Sequence, residues 1–367
     1  MFKIKNIETC IIQVPLLVPL KMSGVHIEHC DNTVVKVTAN NGKVGWGEAP
    51  YAPFFNGETS RGMVAAIDFM KDRLLGKEIL QQSDIKDIIS STIYGNSGAK
   101  SAIDMALYDL FGKSEDKPLY ETLGGAKRDK VPMIWLVAGG DDEFKLLAEK
   151  VDQGFVSFKV KVGTNKVQED IERSYQAQRI LDHNYTLSAD ANQGFNRSDA
   201  LIFASKTGDI GLDFFEQPVT GKDIDAMVEC NARSYAPIGV DEGIHNIDDI
   251  KIHHDRKAAN GGSLKMIKFG GVAQLFEAAN LMHSYEMHIN LAGKAANTSI
   301  GSAAIAHFTR ALPSLDWDAS LSSQYLSDDI AENPVKVIEG HIITPEDGPG
   351  LGINIDEDKL NQYSVKL

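Results

Sequence analysis

Two lysines one residue apart, Lys159 and Lys161, sit in the apolar run Phe158-Lys-Val-Lys-Val-Gly163. Alternate residues of a strand share a face, so both ammonium groups point one way while Phe158, Val160 and Val162 point the other. Three more apolar runs end in acids: Ser188-Ala-Asp190-Ala-Asn192, Phe214-Phe-Glu216-Gln-Pro218 and Ile238-Gly-Val-Asp241-Glu242. Carboxylates gathered at one point raise one another's pKa unless they share a cation. Asp190, Glu216 and Asp241 are all oxygen donors, a set that suits a hard ion, Mg2+ first and Mn2+ second. A further run, Ser263-Leu-Lys265-Met-Ile-Lys268-Phe-Gly-Gly271, adds a lysine facing the first pair. A carboxylate substrate held at such an ion would present its α-proton between Lys161 and Lys265, with the enediolate stabilised by the surrounding positive charge. A lysine base must be neutral. Bringing its pKa from about 10.4 to between 7 and 8 amounts to roughly 4 kcal/mol, and Lys159 and a divalent cation both act in that direction.

Taken singly, each of these residues reads as a solvated rim group. Their joint spacing is what points to a site. The acids recur at intervals of 26 and 25 residues, enough for one strand, one helix and two loops. Eight apolar runs begin near Met133, Phe155, Thr186, Leu212, Pro237, Leu264, Met287 and Ser314, with helical patterns between them. The simplest closed solution is an α/β fold, a (β/α)-type barrel whose strand ends carry the site, and an open doubly wound sheet is the competing architecture. Before it, residues 1–125 read as an α+β unit, with strands over 2–14 and 33–49 and an amphipathic helix over 99–112 that Gly112 can cap. The barrel is expected over 126–318, and the turn-rich tail 319–367 is expected to pack back on the N-terminal unit. The glycines of Asp347-Gly-Pro-Gly-Leu-Gly352 precede no helix and read as a tight turn, not a phosphate loop.

The chain has 367 residues, 43% of them hydrophobic and 24% charged, enough for a sizeable buried core. A formal charge of −14 makes nucleic acid and anionic membranes poor partners. Cys10, Cys30 and Cys230 show no metal-binding spacing and suit a reducing compartment. The segment from Ile11 to Leu20 is too short and broken to span a bilayer, the first residues lack a signal-peptide pattern, and the cytoplasm is the expected location.

At these residues the chain resembles the enolase superfamily, specifically its muconate lactonizing enzyme subgroup. Val44-Gly-Trp-Gly-Glu48, the helix Ser101 to Lys113, Leu123-Gly-Gly125, Lys159-Val-Lys161, Asp190-Ala-Asn192, Glu216-Gln-Pro218, Asp241-Glu242, Lys265 and Gly270-Gly271 carry the likeness, in order, over essentially the whole chain. The resemblance implies a capping domain over a modified barrel with a catalytic Mg2+. It further implies that Lys161 and Lys265 are the acid/base pair, that Lys159 tunes Lys161, and that Asp190, Glu216 and Asp241 bind the metal. Lys265 and Lys268, three apart, cannot share a face of one regular strand. A lysine five residues before the Gly-Gly pair is the family pattern, which selects Lys265 and leaves Lys268 to pack or salt-bridge behind the barrel. Asn192 either orients a metal ligand or makes a turn.

Members of the family share an enolate and differ in its fate: racemisation or epimerisation, cycloisomerisation, or β-elimination of water. Leu315-Asp316-Trp-Asp318 resembles the Asp-x-Asp with which dipeptide epimerases hold a substrate amine. In place of a glutamate common in the subgroup, the seventh run carries Lys294 and Asn297, which either hold a carboxylate or hydroxyl or belong to the rim. The segments 22–29 and 51–56 are similar to those of members acting on hydroxyprolines and proline betaines. Tyr51 there is a substrate contact or, with Phe54 and Phe55, cap core, and His26 and His29 are exposed loop residues. The expected reaction is α-proton removal from a small-molecule amino-acid-type carboxylate, a proline or hydroxyproline derivative or a dipeptide, followed by epimerisation or dehydration. A cycloisomerase or an o-succinylbenzoate synthase-type lyase is the alternative within the family. A Schiff-base aldolase and a non-catalytic binding descendant are the alternatives outside it. Family members commonly assemble as dimers or octamers.

Overall fold

Strand Phe2–Ile12 buries Phe2, Ile4 and Ile7 and exposes Lys3 and Lys5, the alternation of a sheet with one covered face. In this computed structural model all residues are described except 23–24, 54, 295, 346–347 and 366–367, and for 20–22 and 25–26 only the backbone is. Phe54, the side chain of His26, and Asp347 of the tail turn therefore lie outside the described residues.

The first strand pairs antiparallel with Asn32–Ala39, which pairs in turn with Val44–Pro50. Helix Ser97–Glu115 lies directly on that last strand. A Cβ on Gly45 or Gly47 would come within 2.1 Å of the Ala106 or 2.0 Å of the Ala102 carbonyl oxygen, so only glycine permits this approach. Gly112 does not end the helix as expected. The helix runs on to Glu115 and closes on Asp116 in the left-handed conformation, while Gly112 makes room for Gly350 of the tail. Asp109 joins three segments, accepting from the Trp46 and Leu351 amides and from Lys113. The tail strand Ser364–Val365 adds itself to the free edge of Phe2–Ile12.

The eight barrel strands are Ile134–Val137, Ser157–Lys161, Thr186–Asp190, Phe214–Glu216, Ile238–Val240, Gly261–Leu264, His288–Ala292 and Ala319–Ser320. They pair in sequence order, all parallel, and a bridge between Met133 and Ala319 joins first to last. That joined edge overturns the doubly wound alternative: the sheet is a nearly closed barrel beside a separate antiparallel N-terminal sheet. Two strand starts differ from those expected. The sixth begins at Gly261 instead of near Leu264, and the eighth at Ala319 instead of near Ser314. Trp317, two residues before the eighth strand, stacks on Phe214 at 4.1 Å and on His288 at 5.0 Å and plugs the barrel floor. A Cβ on Gly239 or Gly261 would lie 3.0 or 2.7 Å from its ring, so glycines that resemble turn residues are strand residues making space for it.

Candidate active site

Register decides which residues meet at the mouth. Lys161, Asp190, Glu216, Gly239, Gly261 and His288 form one row across the second to seventh strands. An eight-stranded barrel of this kind slants by about one residue per strand. The mouth therefore rises along the sequence: Asp241 stands two residues above the row and Lys265 four, which brings them level with Lys161. Second and sixth strands are diametrically opposed, so Lys161 and Lys265 face each other across the acids. A cavity of about 550 Å³ is lined by Lys159, Lys161, Asp190, Glu216, Asp241 and Lys265.

Each acid holds an amine. Lys159 pairs with Glu216, whose other oxygen accepts from Ser263. Lys161 donates to Asp190 at 2.6 Å and to the Asn192 carbonyl at 2.8 Å, and the Asn192 amide group donates onward to Glu242 at 3.1 Å. Lys265 and Lys268 both pair with Asp241, and Lys268 also donates to the Ser263 and Asp241 carbonyls. The strand rule that separated these two lysines fails because the strand stops at Leu264. Met266–Phe269 is a helical turn, in which three residues make most of one revolution.

Electrostatics follow from the pairing. Burial works against the charged form of Asp241, but Lys265 and Lys268 outweigh it and hold the acid below the usual carboxylate range. Burial likewise disfavours charged Lys161 and Lys265, yet Asp190 beside the first and Asp241 beside the second leave both above the usual amine value. Glu216 pairs with Lys159 and also acts on Lys161. Glu242 is pushed up to about 8, first by burial and then by Asp241 and Asp190. Its Oε2 is buried without a partner.

Among the described residues no three acid, imidazole or thiol groups stand close enough to share an ion as they are placed here. The donor chemistry nonetheless fits a hard cation: three buried carboxylates on adjacent strands, with an orphaned Glu242 oxygen beside them.

The remaining candidates are divided between the mouth and elsewhere. Asn192 belongs to the mouth. Lys294, two residues beyond Ala292, lines a pocket with Lys265 and Gly293. Asn297 lines the same pocket, and its amide group donates to buried Glu48 at 3.0 Å; Thr298, Asn32 and the Gly301 amide also donate to Glu48, tying the cap to helix Ser299–Ala311. Tyr51 is 40% exposed and absent from both mouth pockets. The cap residue that does reach the site is Phe55, whose ring lies 4.8 Å from the Lys265 amine and 5.8 Å from those of Lys268 and Lys294.

Asp316 and Asp318 must be reassigned. The pairing Leu291 with Ala319 sets Asp316 opposite His288, level with the row described above, whereas the slant puts the mouth of the eighth strand about six residues higher, at Ser322. Asp316 accepts from the Ile289 amide and pairs with His288, and Asp318 lies near Ser157, the first residue of its strand. Both belong to the barrel floor, so neither can hold a substrate amine at the mouth. Sequence reasoning did not name Phe55 and Glu242 as site residues; Lys268, expected to pack or salt-bridge, is buried and pairs with Asp241. Only Glu242 carried a signal, its adjacency to Asp241.

A parallel barrel with an antiparallel N-terminal sheet, and with lysines opposed across acids at the C-terminal strand ends, is the architecture of an enolase-type enzyme. Residues 6–124 match the mandelate racemase/muconate lactonizing enzyme N-terminal domain, and residues 143–359 match the enolase C-terminal domain-like family. The chain belongs to the enolase superfamily, in the muconate lactonizing enzyme-like subgroup. It is 29% identical to the N-succinyl-L-Arg/Lys racemase of Bacillus cereus over 99% of this chain and 98% of that protein. It is 27% identical to a chloromuconate cycloisomerase of Cupriavidus pinatubonensis over 96% of each. The crystal structure of muconate lactonizing enzyme from Pseudomonas fluorescens complexed with muconolactone superposes with a TM-score of 0.94 at 28% identity, covering 99% of this chain and 100% of that one. These relatives are isomerases, and the chain is an enzyme of the same superfamily.

Proposed function

We propose that the enzyme moves the α-proton of a small carboxylate from one face of the carbon to the other, a racemisation or epimerisation. The observation that carries this reading is the pair Lys161 and Lys265, reaching one cavity from opposite walls. Asp190, Glu216 and Asp241 would hold a divalent cation, Mg2+ or Mn2+, which when bound supplies Lewis-acid stabilisation of charge developing on the substrate carboxylate. The chain's own residues do the rest. One lysine, neutral at the start of the cycle, takes the proton; the opposed ammonium returns one to the other face, and the next turnover can run in reverse. Lys159, fixed on Glu216, keeps positive charge beside Lys161. Asn192 links Lys161 to Glu242 and so holds the amine in place. Phe55 covers the amines and keeps water from them.

An N-acyl amino acid or a comparable carboxylate fits better than a free dipeptide, because the acids once expected to hold an amine lie at the barrel floor. Three free cysteines, two of them buried, suit the cytoplasm. The test is proton exchange by NMR in D2O over a panel of N-acyl amino acids. Deuterium should enter at Cα only with Mg2+ or Mn2+ present, and chelation should stop it. Exchange unaffected by chelator, or a borohydride-trapped Schiff base at Lys265, would point to the aldolase class.

A further inference from the structure

Lys161 is held in place by more than the contacts of its amine. The first barrel strand ends at Val137, paired with Val160, one residue short of Lys161. On the other side the Val162 amide donates to the Asp190 carbonyl at 3.0 Å. Alternate residues of a parallel strand bond to alternate neighbours, so Lys161 turns its peptide groups toward the first strand, where the ladder has already stopped. Arg173 stands in for the missing strand: its Nη1 donates to the Lys161 carbonyl at 3.0 Å. The same guanidinium donates to Asp170 at 2.9 Å and to both oxygens of Glu143, at 2.9 Å from Nε and 2.7 Å from Nη2.

Arg173 and Asp170 lie one turn apart on helix Val167–Leu181, and Glu143 opens helix Glu143–Asp152. Asp170 is buried, and its second oxygen accepts from the Gly163 amide at 2.7 Å. Arg173 and Asp170 thus hold the peptides on either side of Val162, and with them the direction in which the Lys161 side chain leaves the strand. Gly163 then turns at φ 87°, so close to Ala191 that a Cβ would come within 2.9 Å of its carbonyl oxygen. Lys265 is held by a different device: its carbonyl accepts from the Lys268 amide at 3.0 Å, inside its own helical turn. The two opposed amines therefore rest on separate supports.

We propose that Arg173 is a positioning residue for one amine of the pair: it fixes the end of the second strand, and through it Lys161, without touching substrate and without acting on Lys265. This deepens the function proposed above and rests on Lys161 and Lys265 serving opposite faces of the substrate carbon. The role needs arginine, because one planar fork satisfies two carboxylates and a carbonyl at once. A lysine at the same place keeps the charge but offers a single nitrogen, and displacing a reacting group by about 1 Å can cost on the order of 10²-fold in rate.

Arg173→Lys tests this in the Mg2+-supplied full-length protein. The double variant Glu143→Gln/Arg173→Gln, which removes one charge of each sign, takes its place if the single variant does not fold, and a thermal melt checks both. The first readout needs no turnover: competitive acetylation of amines by acetic anhydride, quantified by peptide mass spectrometry. Labelling of Lys161 should rise about threefold or more over the parent, while that of Lys265 stays within about twofold. The second is α-proton exchange in D2O, with each antipode of the N-acyl amino acid that the parent exchanges followed separately by NMR. Exchange should slow about tenfold or more for the antipode that Lys265→Ala still exchanges, and less than about twofold for the other. Unchanged labelling of Lys161, equal changes at Lys161 and Lys265, or equal slowing of both antipodes would each overturn the assignment. If labelling shifts at Lys161 alone but the single-lysine variants do not separate the antipodes, the two-amine reaction is what fails and the positioning role stands.

Discussion

Lys265 shows how much chemistry one side chain gathers from its surroundings. Asp241 holds its amine from below and Phe55 covers it from the cap, 4.8 Å from ring centre to nitrogen. A cation over a desolvated aromatic face is stabilised by about 0.5–2 kcal/mol, and the same ring excludes water. Phe55→Ala should therefore lower kcat/KM by roughly tenfold while leaving the melting temperature nearly unchanged, read by steady-state kinetics and a thermal melt. A loss of folding instead would make Phe55 cap core. At this scale the charged residues were legible because they recur after apolar runs at one strand–helix interval. Phe55 was not: a cap loop has no period, and nothing local says which of its aromatic residues faces the barrel. That Lys268 pairs with Asp241 was not legible for a related reason, since the end of a strand cannot be seen when the helical turn after it, Met-Ile-Lys-Phe, is as apolar as the strand itself.

Elements meet at the seam between cap and barrel, where helix Ser97–Glu115 sends Asp104 to the start of helix Val272–Ser284. Asp104 accepts from the Val272 amide at 2.7 Å. Its other oxygen and the Gln274 carbonyl oxygen are both buried without partners, flanking Gly271. Burial pushes Asp104 up from an ordinary 3.8 to about 7, so between these values the folded state holds a proton that the unfolded chain has lost. Stability from this residue is then complete at acid pH and falls as pH rises toward 7, by at most about 4 kcal/mol. Asp104→Asn supplies the missing donor permanently. Thermal melts should show the variant more stable than the parent at pH 8 and nearly equal to it at pH 4.5; equal melting temperatures at both would show Asp104 to be ionised and satisfied. The helix was legible from its apolar periodicity. Its end was not, because Gly112 serves a close approach by a tail segment more than two hundred residues away, a contact that no local pattern announces.

For the whole molecule, the slant of the barrel separates a catalytic mouth from a structural floor. Asp316 and Asp318 resemble site residues in sequence but stand below the row that the mouth requires, beside Trp317 and His288. Asp316→Ala should leave turnover within about twofold of the parent, since the substitution removes contacts with His288 and the Ile289 amide that lie at the floor, away from the mouth. A hundredfold loss in kcat would return that acid to the mouth. The overall plan was readable from alternating apolar runs, the eight barrel strands above all. Register was not, because shear accumulates around the ring and the sixth strand begins at a glycine that makes room for a buried indole, not at a turn. Among the described residues no helix is long and apolar enough to cross a membrane.

The most direct measurement is stereospecific α-proton exchange in D2O by single-lysine variants, with Mg2+ and each antipode of one substrate followed separately by NMR. Two opposed amines mean that Lys161→Ala and Lys265→Ala should each lose racemisation by about 10²–10⁴-fold. Each should keep exchange with one antipode only, and the two variants should keep opposite ones. Retention of full racemisation by either variant, or loss of the same antipode by both, would contradict a carbon held between Lys161 and Lys265.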